Sequence, residues 1–527
     1  MDASPDSSAA YYYVSTVIGL IIVLAIPYQY SQIKCLLQRR KRQINNNLNE
    51  KLKAIAEEIL EENEEGIDIA PIHSFITVWF HKIWNTTIHV TSVGDMSVGE
   101  IILLFVFIFF NLFFFLHPFQ TSNANFPTNL NNRAGRIGVA NAAFIFPLAS
   151  RNSIFLTFLG IPFERIIKFH RWVGRMIIFC IMFHGMGHIQ EGYEAGGNLT
   201  AAIFGSTVLF VIANIFHVSE NFYFEIIGIL LYSIDVSIRF YLSKKNAKII
   251  KLETIQNDIT KITIKYNMFY EAGQYIFVYF PNLKKPLSST LIIWHPVSIS
   301  SSPTSLLSLN NNISTIHLKK VGKFTNSLFD RAIRETDVIN PTLNISIEGP
   351  YGKSSVQFMD YETVMLFSGG IGITPMISIL RSLVDRLVSG MAIATTTIYF
   401  IWVIPNFDSY NWFSSEIQEI QEVFNNSLKK SNNDNKYMLD IKIFVTKPIP
   451  NDNNTNSSSD SALSKISHIG RPKFEGIMQD VKRYHGSGDV AVGACGPSLM
   501  LKDITNAAMS QSTRKGLFLV HTEIFEL

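Results

Sequence analysis

The sequence predicts a multi-pass α-helical membrane domain followed by a module of two parts, an antiparallel β-barrel and an α/β domain. Long apolar runs are confined to the first half of the 527 residues, and mean hydropathy is +0.19 although apolar residues make up only 47% of the chain. From about residue 244, short strands with alternating apolar residues follow one another, which predicts a barrel-like β domain. After about residue 356, strands alternate with helical stretches, which is typical of an α/β domain.

These changes in pattern divide the chain into five predicted segments. They are an N-terminal anchor helix with a basic flank (1–43), a cytosolic polar segment (44–98), a transmembrane domain (99–243), the β-barrel (244–355) and the α/β domain (356–527) with a low-complexity loop at 449–465.

Six apolar runs are predicted to cross a membrane, because a bilayer core takes roughly 20 helical residues. They are residues 11–28, 100–116, 137–149, 172–189, 201–217 and 223–242. The first run lacks the basic start and small-residue cleavage site of a signal peptide, and basic residues follow it at 34–42, so its N-terminal end is expected outside. Basic residues also follow the last run, so its C-terminal end is expected in the cytosol. Six spans would put this end on the same side as the N-terminus, whereas seven spans would put it in the cytosol.

Charge and cysteine content exclude several classes of protein. The 45 basic and 42 acidic residues nearly balance, so no nucleic-acid partner is expected. The three cysteines are too few and too scattered for a disulfide framework or a cysteine-based metal site.

Histidines on one predicted span indicate a metal cofactor. His170 and His184 lie within about 40° of the same helix face and about 21 Å apart along the axis, and His188 lies one turn further on that face. A single such histidine is more often a satisfied polar residue. Several histidines at opposite depths favour ligation of haem iron, because ionisable groups inside a membrane are costly.

A glycine-rich turn marks the predicted α/β domain. An apolar strand runs into Gly369, Gly370 and Gly372, and Thr374 and Pro375 then begin an apolar helix. Glycines before a helix with proline near its start suit a turn whose backbone N–H groups meet a phosphate. Many α/β proteins carry such a turn only for packing, so the motif alone is weak.

In their order along the chain, these motifs resemble the fungal ferric reductase transmembrane component family, which is related to the NADPH oxidases. HRWVGR at 170–175 with His184 is similar to the family's first haem-ligand helix, and HPVSIS at 295–300 resembles its flavin-binding motif. LKKVGKFTNSL at 318–328 resembles the flavin pyrophosphate segment, and SGGIGITP at 368–375 with ACGPSLM at 494–500 resembles the NADPH-binding pair. The resemblance covers roughly residues 95–527 and implies a cytosolic ferredoxin-reductase-like module.

The resemblance also implies a set of site residues. Those expected to contact FAD are His295, Pro296, Val297, Ser298, Gly322, Phe324, Thr325, Gly349 and Pro350. Those expected to bind NADPH are Gly369, Gly370, Gly372, Thr374, Pro375, Gly496 and Pro497. Cys495 is expected near the nicotinamide, Phe525 over the isoalloxazine, and His170 and His184 at haem iron.

Two departures from the family pattern change these expectations. Pro405 stands where the family commonly has an arginine for the NADPH 2′-phosphate, which leaves Arg471 and Lys473 as phosphate partners. The second histidine pair of the family is missing from the later spans, where His217 is the nearby histidine. We therefore predict at most one haem b per chain, ligated by His170 and His217.

The resemblance implies an enzyme that passes electrons from cytosolic NADPH through FAD and haem to ferric or cupric chelates across the membrane. A superoxide-generating NADPH oxidase with dioxygen as acceptor is one alternative, and a degenerate member that binds FAD and NADPH without transmembrane electron transfer is another. The expected surroundings are a lipid bilayer, with a homo-oligomer or a partner subunit possible. The plasma membrane is the expected location, with an internal membrane as the alternative.

Overall fold

The computed structural model describes most of the chain, and the statements below concern the residues it describes. These are 12–26, 29, 33, 37, 40, 73–90, 94–116, 126–151, 163–194, 219–243, 247–283, 293–305, 312–335, 338, 341–352, 354–391, 393–431, 437–447 and 466–523. The chain divides into two compact units. The helical unit comprises Met1–Ile33 and Glu100–Phe240, and the mixed unit comprises Lys34–Gly99 and Tyr241–Leu527.

In its described residues, the helical unit contains five helices. They are α1 (Tyr12–Ile26), α3 (Val98–Leu116), α4 (Phe126–Ala149), α5 (Phe163–Glu194) and α6 (Ser219–Ser243), while α2 (Phe75–Asn85) belongs to the mixed unit. Within the described ranges, α3 alone is both long enough and apolar enough to cross a bilayer. The predicted multi-pass arrangement is therefore not confirmed by helix length and composition.

The predicted spans 137–149, 172–189 and 223–242 lie within α4, α5 and α6, and each helix extends beyond the predicted span. Arg133 and Asp235 are examples of the charged residues that these helices include. The predicted span 201–217 lies outside the described residues.

Helices α4 and α5 pack closely because glycines line their contact. A Cβ on Gly135 would lie 3.0 Å from the His184 ring, and one on Gly138 would lie 3.2 Å from Cys180 Cβ. Gly187 of α5 likewise lies against α4, because a Cβ there would collide with the side chain of Asn131. Small residues of this kind let helix backbones approach, which is the common means of helix association in membranes.

A buried polar network ties α4 to α1 and α3. Tyr13 Oη donates to Asn141 Oδ1 at 2.7 Å, Asn141 Nδ2 donates to Asn111 Oδ1 at 2.7 Å, and Asn111 Nδ2 donates to Tyr13 Oη at 3.1 Å. Because the ring of hydrogen bonds satisfies all three side chains, these groups can be buried without the cost of unpaired polar atoms.

The first part of the mixed unit is the predicted β-barrel. Its two three-stranded antiparallel sheets have the orders β3-β4-β7 and β6-β5-β8, joined by a bridge between Ile299 and Ile316. The strands are β3 (Lys248–Ile255), β4 (Ile259–Lys265), β5 (Tyr275–Tyr279), β6 (His295–Ser298), β7 (Ile313–Lys319) and β8 (Ser346–Tyr351), with helix α7 (Lys323–Glu335) after β7. Alternate strand residues such as Ile262, Ile264 and Val278 share one core with Leu328 of α7.

The second part is an α/β domain around a six-stranded parallel sheet of order β12-β11-β10-β9-β13-β14. The elements are β9 (Thr363–Gly369), α8 (Ile373–Val388), β10 (Thr397–Ile404), α9 (Ser414–Ser431), β11 (Met438–Val445), β12 (Ser467–Ile469), α10 (Phe474–His485), β13 (Val490–Cys495), α11 (Ser498–Gln511) and β14 (Phe518–Glu523). Leu366 packs in the core with α8 and α9, and Phe367 packs in the core with α10 and α11, so helices cover both faces. Parallel strands that are buried on both faces have nearly continuous apolar sequences.

Residues 73–97 add a small substructure to this domain. Helix α2 is followed by a hairpin of β1 (Thr87–Val90) and β2 (Gly94–Ser97), which leads directly into α3. Asn506 Oδ1 of α11 accepts a hydrogen bond from Thr87 N at 3.1 Å. The sequence analysis predicts only a polar segment here, and its acidic part, at 57–65, lies outside the described residues.

Candidate functional site

Two glycine-containing loops meet at the carboxyl ends of β9 and β13. A Cβ on Gly372 would lie 2.6 Å from Cys495 O, and one on Gly369 would lie 2.8 Å from Pro497 Cδ. Gly370, between them, has φ +54°, which favours glycine because it lies in the left-handed region. The close approach of the two backbones therefore excludes side chains at these positions.

The position of this contact in the sheet is that of a ligand crevice. The chain leaves β9 toward β10 on one side and returns on the other side at β13, so the strand order reverses at β9. In open α/β sheets, ligands bind at such a reversal, outside the carboxyl ends of the strands.

The first turn of α8 begins at this crevice, directly after the glycine contact. The 16-residue helix has no side-chain hydrogen bond at its N-cap, Gly372. Trp402 Nε1 donates to Gly370 O at 2.9 Å and Thr374 Oγ1 donates to Ile371 O at 3.1 Å, which fixes the turn. A helix N-terminus with free N–H groups binds phosphate through hydrogen bonds and the helix dipole. The seven residues predicted to bind NADPH thus lie on the two loops of one crevice.

Cys495 ends β13 within this crevice and is buried. Burial, and then the negative charge of Glu523 on the adjacent strand, raise the pKa of the thiol. The side chain is therefore a neutral thiol at pH 7, suited to apolar contact with a ring and unsuited to attack as a thiolate.

Three basic side chains follow the carboxyl ends of the neighbouring strands. Pro405 directly follows β10, and its carbonyl oxygen accepts a hydrogen bond at 3.0 Å from the backbone N–H of Lys447, which lies just beyond β11. Arg471 and Lys473 are exposed beyond β12. Sequence reasoning missed Lys447, because only the strand register shows that it lies beside Pro405.

Strand β6 presents its four predicted residues on two faces. Its register with β5 pairs Ser298 with Tyr275 and Val297 with Ile276. Directly opposed residues of antiparallel strands share a face. Pro296 and Ser298 therefore lie on the face of Tyr275, whereas Val297 packs in the barrel core. The four residues do not form one contact surface.

The start of α7 brings the second flavin-like motif against β6. The rings of His295 and Phe324 stack with centroids 3.6 Å apart and an interplanar angle of 12°. Thr325 Oγ1 accepts hydrogen bonds from Val321 N at 2.9 Å and Gly322 N at 3.0 Å, which holds the preceding turn against the start of the helix. Burial lowers the pKa of His295, so its ring is neutral at pH 7.

Gly349 and Pro350 lie in β8, which pairs with β5 from the other side. Gly349 has φ +130°, and a Cβ there would lie 3.1 Å from the Tyr351 ring. Tyr351 Oη donates to the buried Glu348 Oε1 at 2.7 Å. The β8 residues therefore belong to the same small sheet as Pro296 and Ser298.

Polar contacts that the sequence does not reveal fix the barrel against the α/β domain. Ser378 Oγ of α8 donates to Ser301 O at 2.7 Å, and Thr304 Oγ1 donates to Asp385 Oδ2 at 3.0 Å. On a second side, Lys261 Nζ of β4 donates to Glu416 Oε1 of α9 at 2.6 Å. These contacts join residues 77 to 155 positions apart, which no local pattern indicates.

His317 lies beside that second contact. Its Nδ1 is 2.7 Å from Ser300 Oγ, its Nε2 is 3.8 Å from Glu416 Oε1, and its ring lies 4.4 Å from that of Phe413. Burial lowers the pKa of His317 to about 3, because the charge of Glu416 offsets only part of the cost of desolvation.

The two described haem-ligand candidates lie on α5 and share a hydrogen-bonding pattern. His170 Nδ1 lies 2.9 Å from Ile145 O, and His184 Nδ1 lies 2.7 Å from Asn131 O, both on α4. A carbonyl oxygen only accepts, so each Nδ1 carries the proton and, in the neutral ring, the lone pair is on Nε2. Metal-ligating histidines commonly have this second hydrogen bond, because it fixes the tautomer and the ring orientation.

Two predicted site residues, His217 and Phe525, lie outside the described residues, and the side chain of His188 does too. In the described part of the chain, no three metal-ligating residues of the His, Cys, Asp or Glu types cluster. The roles of His217 and Phe525 stay predictions.

Three family models match successive parts of the chain. They are described as "Ferric reductase like transmembrane component" over residues 134–236, "FAD-binding domain" over 243–355 and "Ferric reductase NAD binding domain" over 361–509. The chain belongs to the ferric reductase family.

Relatives of this chain include plant and animal proteins. It is 26% identical to "Ferric reduction oxidase 7, chloroplastic" of Arabidopsis thaliana, over 69% of this chain and 56% of that protein. It is 27% identical to "Ferric reduction oxidase 2" of the same plant, over 55% and 47% of the two chains. It is 24% identical to "NADPH oxidase 1" of Mus musculus, over 59% and 51%. The chain thus spans about half the length of these relatives.

The residues of this chain fit the nucleotide cofactors of its two matched domains. In the NAD-binding domain, the close backbone contact at Gly372 keeps side chains away from the start of α8, which has no side-chain cap. In the FAD-binding domain, the start of α7 lies against the stacked rings of His295 and Phe324. Each domain thus pairs a helix N-terminus, which suits a phosphate, with an adjacent contact surface.

Proposed function

We propose that this ferric reductase is a multi-pass membrane enzyme that oxidises cytosolic NADPH and reduces ferric or cupric chelates on the far side of the membrane. For iron, the reaction is NADPH with two Fe(III) giving NADP⁺, one H⁺ and two Fe(II). FAD, when bound, accepts a hydride and releases single electrons, which one-electron acceptors require.

The observation that carries the proposal is the pair of histidines on α5. His170 and His184 both have Nδ1 within hydrogen-bond distance of an α4 carbonyl oxygen, which leaves each neutral ring with its lone pair on Nε2. Imidazole nitrogens with such a lone pair are suitable ligands for haem iron. Binding of FAD and NADPH does not require two histidines on this helix. His217 is the proposed partner of His170, which allows one haem b per chain.

The residues of the mixed unit bind and orient the nucleotides. The start of α8 holds the NADPH pyrophosphate, and the Cys495 thiol packs beside the nicotinamide. The Ser378–Ser301 and Thr304–Asp385 contacts hold the two domains in one arrangement, so that donor and acceptor rings meet in a fixed geometry.

Reconstitution in sealed vesicles tests the proposal. NADPH is added outside the vesicles, and a ferric chelate with an Fe(II) indicator is enclosed in the lumen. Protein molecules whose mixed unit faces outward are expected to transfer electrons inward and to give the coloured Fe(II) complex in the lumen. Superoxide in the lumen, detected by a dismutase-sensitive probe, would assign the acceptor to dioxygen instead. NADPH oxidation by a soluble dye without either product would support the degenerate alternative.

Haem content tests the ligand assignment separately. Pyridine haemochrome analysis of the full chain is expected to give at most one haem, lost in His170→Ala. Two haems per polypeptide would contradict the proposed ligation by His170 and His217.

A modest preference for NADPH over NADH forms part of the proposal. Pro405 offers no charge to the 2′-phosphate, so Arg471, with Lys447 nearby, supplies it. One charge-assisted hydrogen bond is worth about 1.5–3 kcal/mol. Arg471→Ala is therefore expected to lower the NADPH/NADH ratio of kcat/KM about tenfold or more, whereas Arg483→Ala on α10 leaves it unchanged. An unchanged ratio in Arg471→Ala would exclude this assignment.

A further inference from the structure

Helix α2 is amphipathic, and its apolar side is exposed. Five large apolar side chains form one stripe, which we call the outer face: Phe75, Ile76, Trp79, Phe80 and Ile83, with 36% to 75% of each residue exposed. Their spacing places them within about 140° of the helix circumference. A helix on the surface of a soluble domain normally buries such a stripe.

The opposite side of α2 docks on the α/β domain through polar groups. His81 Nε2 lies 3.1 Å from Phe518 O of β14, and Lys82 Nζ lies 3.5 Å from Ser510 O of α11. Just before the helix, His73 Nε2 lies 2.7 Å from Asp489 Oδ1. The docked side of the helix therefore carries these polar groups and the buried Val78, and the outer face points away from the domain.

The end of α2 is joined to the start of the membrane-crossing helix. Thr86, the C-cap of α2, accepts a hydrogen bond through its carbonyl oxygen from Val98 N at 2.9 Å, and Val98 is the first residue of α3. One residue on, Gly99 leaves room for the Trp84 indole, with which a Cβ would collide. The Trp84 ring in turn stacks on Phe80 of the outer face, with centroids 5.0 Å apart.

Continuity with α3 identifies what the outer face meets. Helix α3 is long and apolar enough to cross a bilayer, and its exposed side chains include Phe105 and Phe109. Aromatic residues concentrate where membrane helices pass from lipid to water. Amphipathic helices that lie in this zone bury a face rich in Trp and Phe at the headgroup boundary.

We propose that the outer face of α2 is a membrane-contact surface, which lies in the headgroup zone of the cytosolic leaflet beside the entry of α3. Its docked polar side then attaches the α/β domain to the bilayer surface through His81, Lys82 and His73. The proposed occupant of the face is the lipid boundary, and burial by protein is a separate outcome of the test.

Site-specific quenching in nanodiscs tests this surface. The full chain, with Cys35→Ser, carries an environment-sensitive fluorophore on a new cysteine at Trp79→Cys, or at Ile76→Cys as a second position. Cys180 and Cys495 are buried and serve as unlabelled background. The matched control is Phe269→Cys, because Phe269 is a 96% exposed aromatic residue of the barrel domain. Retained FAD, measured by absorbance, shows that each variant is folded.

Lipids with a spin label near the headgroup are expected to quench the fluorophore at 79 and 76 by at least half, and the fluorophore at 269 by less than about a tenth. Equal lipid quenching at 79 and 269 overturns the proposal. If iodide then quenches position 79, the face is in water. If iodide does not, protein covers the face.

Discussion

At the scale of single residues, the crevice depends on positions where no side chain fits. The atom nearest to a Cβ on Gly372 is a backbone carbonyl oxygen, 2.6 Å away, which cannot rotate aside as a side chain would. Any substitution there must therefore move the β13 loop, on which Gly496 and Pro497 also lie.

Gly372→Ala is accordingly expected to lower kcat/KM for NADPH-dependent dye reduction about tenfold or more, because overpacking of this kind costs about 1–3 kcal/mol. Gly476→Ala is the matched control, since the nearest atom to its Cβ would be 3.9 Å away and its φ is not in the left-handed region. Equal activities in the two variants would contradict the role of the glycine contact.

His317 gives a residue-level prediction of pH dependence. Its pKa is lowered from the ordinary 6.5 to about 3 by burial, so between these values the unfolded chain binds a proton that the folded chain does not. Folded stability therefore falls as pH drops below 6.5, by at most about 1.4 kcal/mol per pH unit from this group.

His317→Gln is expected to flatten the decrease in apparent melting temperature, followed by FAD fluorescence of the full chain, between pH 6.5 and 5. The replacement of exposed His468 by glutamine serves as control and should leave the slope unchanged. A slope that His317→Gln leaves as steep as in the unchanged protein would assign the acid sensitivity to other groups.

The sequence alone predicts those site residues whose positions depend on neighbours close by in the chain. The glycines of β9 and α8 were predictable because a strand, a turn and a helix follow one another within a short stretch. The two faces of β6 follow from its register with β5, and the Lys261–Glu416 contact joins distant positions, so both require the tertiary structure.

At the scale of elements, the contact of α4 with α5 positions the histidines. Gly135 lies against His184, and the carbonyl oxygen of Asn131, one turn earlier on α4, receives its Nδ1 proton. The sequence predicts a span at 137–149, whereas α4 begins at Phe126, because close packing on α5 stabilises helix in polar sequence that hydropathy alone excludes.

Gly135→Val is expected to push the His184 ring out of reach of Asn131 O, and to leave the haem absorbance per chain unchanged, because the one proposed haem is ligated by His170 and His217. Gly174→Ala on α5 is the matched control, since its Cβ would meet Ile145 at an ordinary 3.7 Å. A fall in haem content by at least half in Gly135→Val alone, with the protein still folded, would add His184 to the haem ligands.

At the scale of the whole molecule, the prediction that remains is which side of the membrane each segment occupies. The basic residues at 34–42 predict a cytosolic location for residues 44–98, and the described part of that segment docks on the α/β domain. The sequon at Asn85 lies in this docked part, where Asn85 Nδ2 donates to His81 O at 2.9 Å. A glycan there would disrupt α2.

Asn198, in the sequon Asn198-Leu199-Thr200, is expected to carry a glycan, and Asn85 is expected to carry none. Endoglycosidase treatment of protein from a secretory-pathway membrane should shift the gel mobility of the unchanged chain and of Asn85→Gln, but not of Asn198→Gln. A glycan on Asn85 would invert the topology.

The docked side of α2 also has a consequence for self-association. Leu517 O accepts from Val490 N toward β13, so the next carbonyl group, that of Phe518, points to the open edge of the sheet, where His81 Nε2 meets it. Burial lowers the pKa of His81, and the neutral ring donates through Nε2 while Nδ1 accepts from Asn85 at 3.3 Å. Unprotected edge strands pair with other chains, and natural proteins cover them. Because His81 of α2 occupies a backbone carbonyl group of the edge strand β14, α2 hinders the pairing of this strand with a strand of another chain.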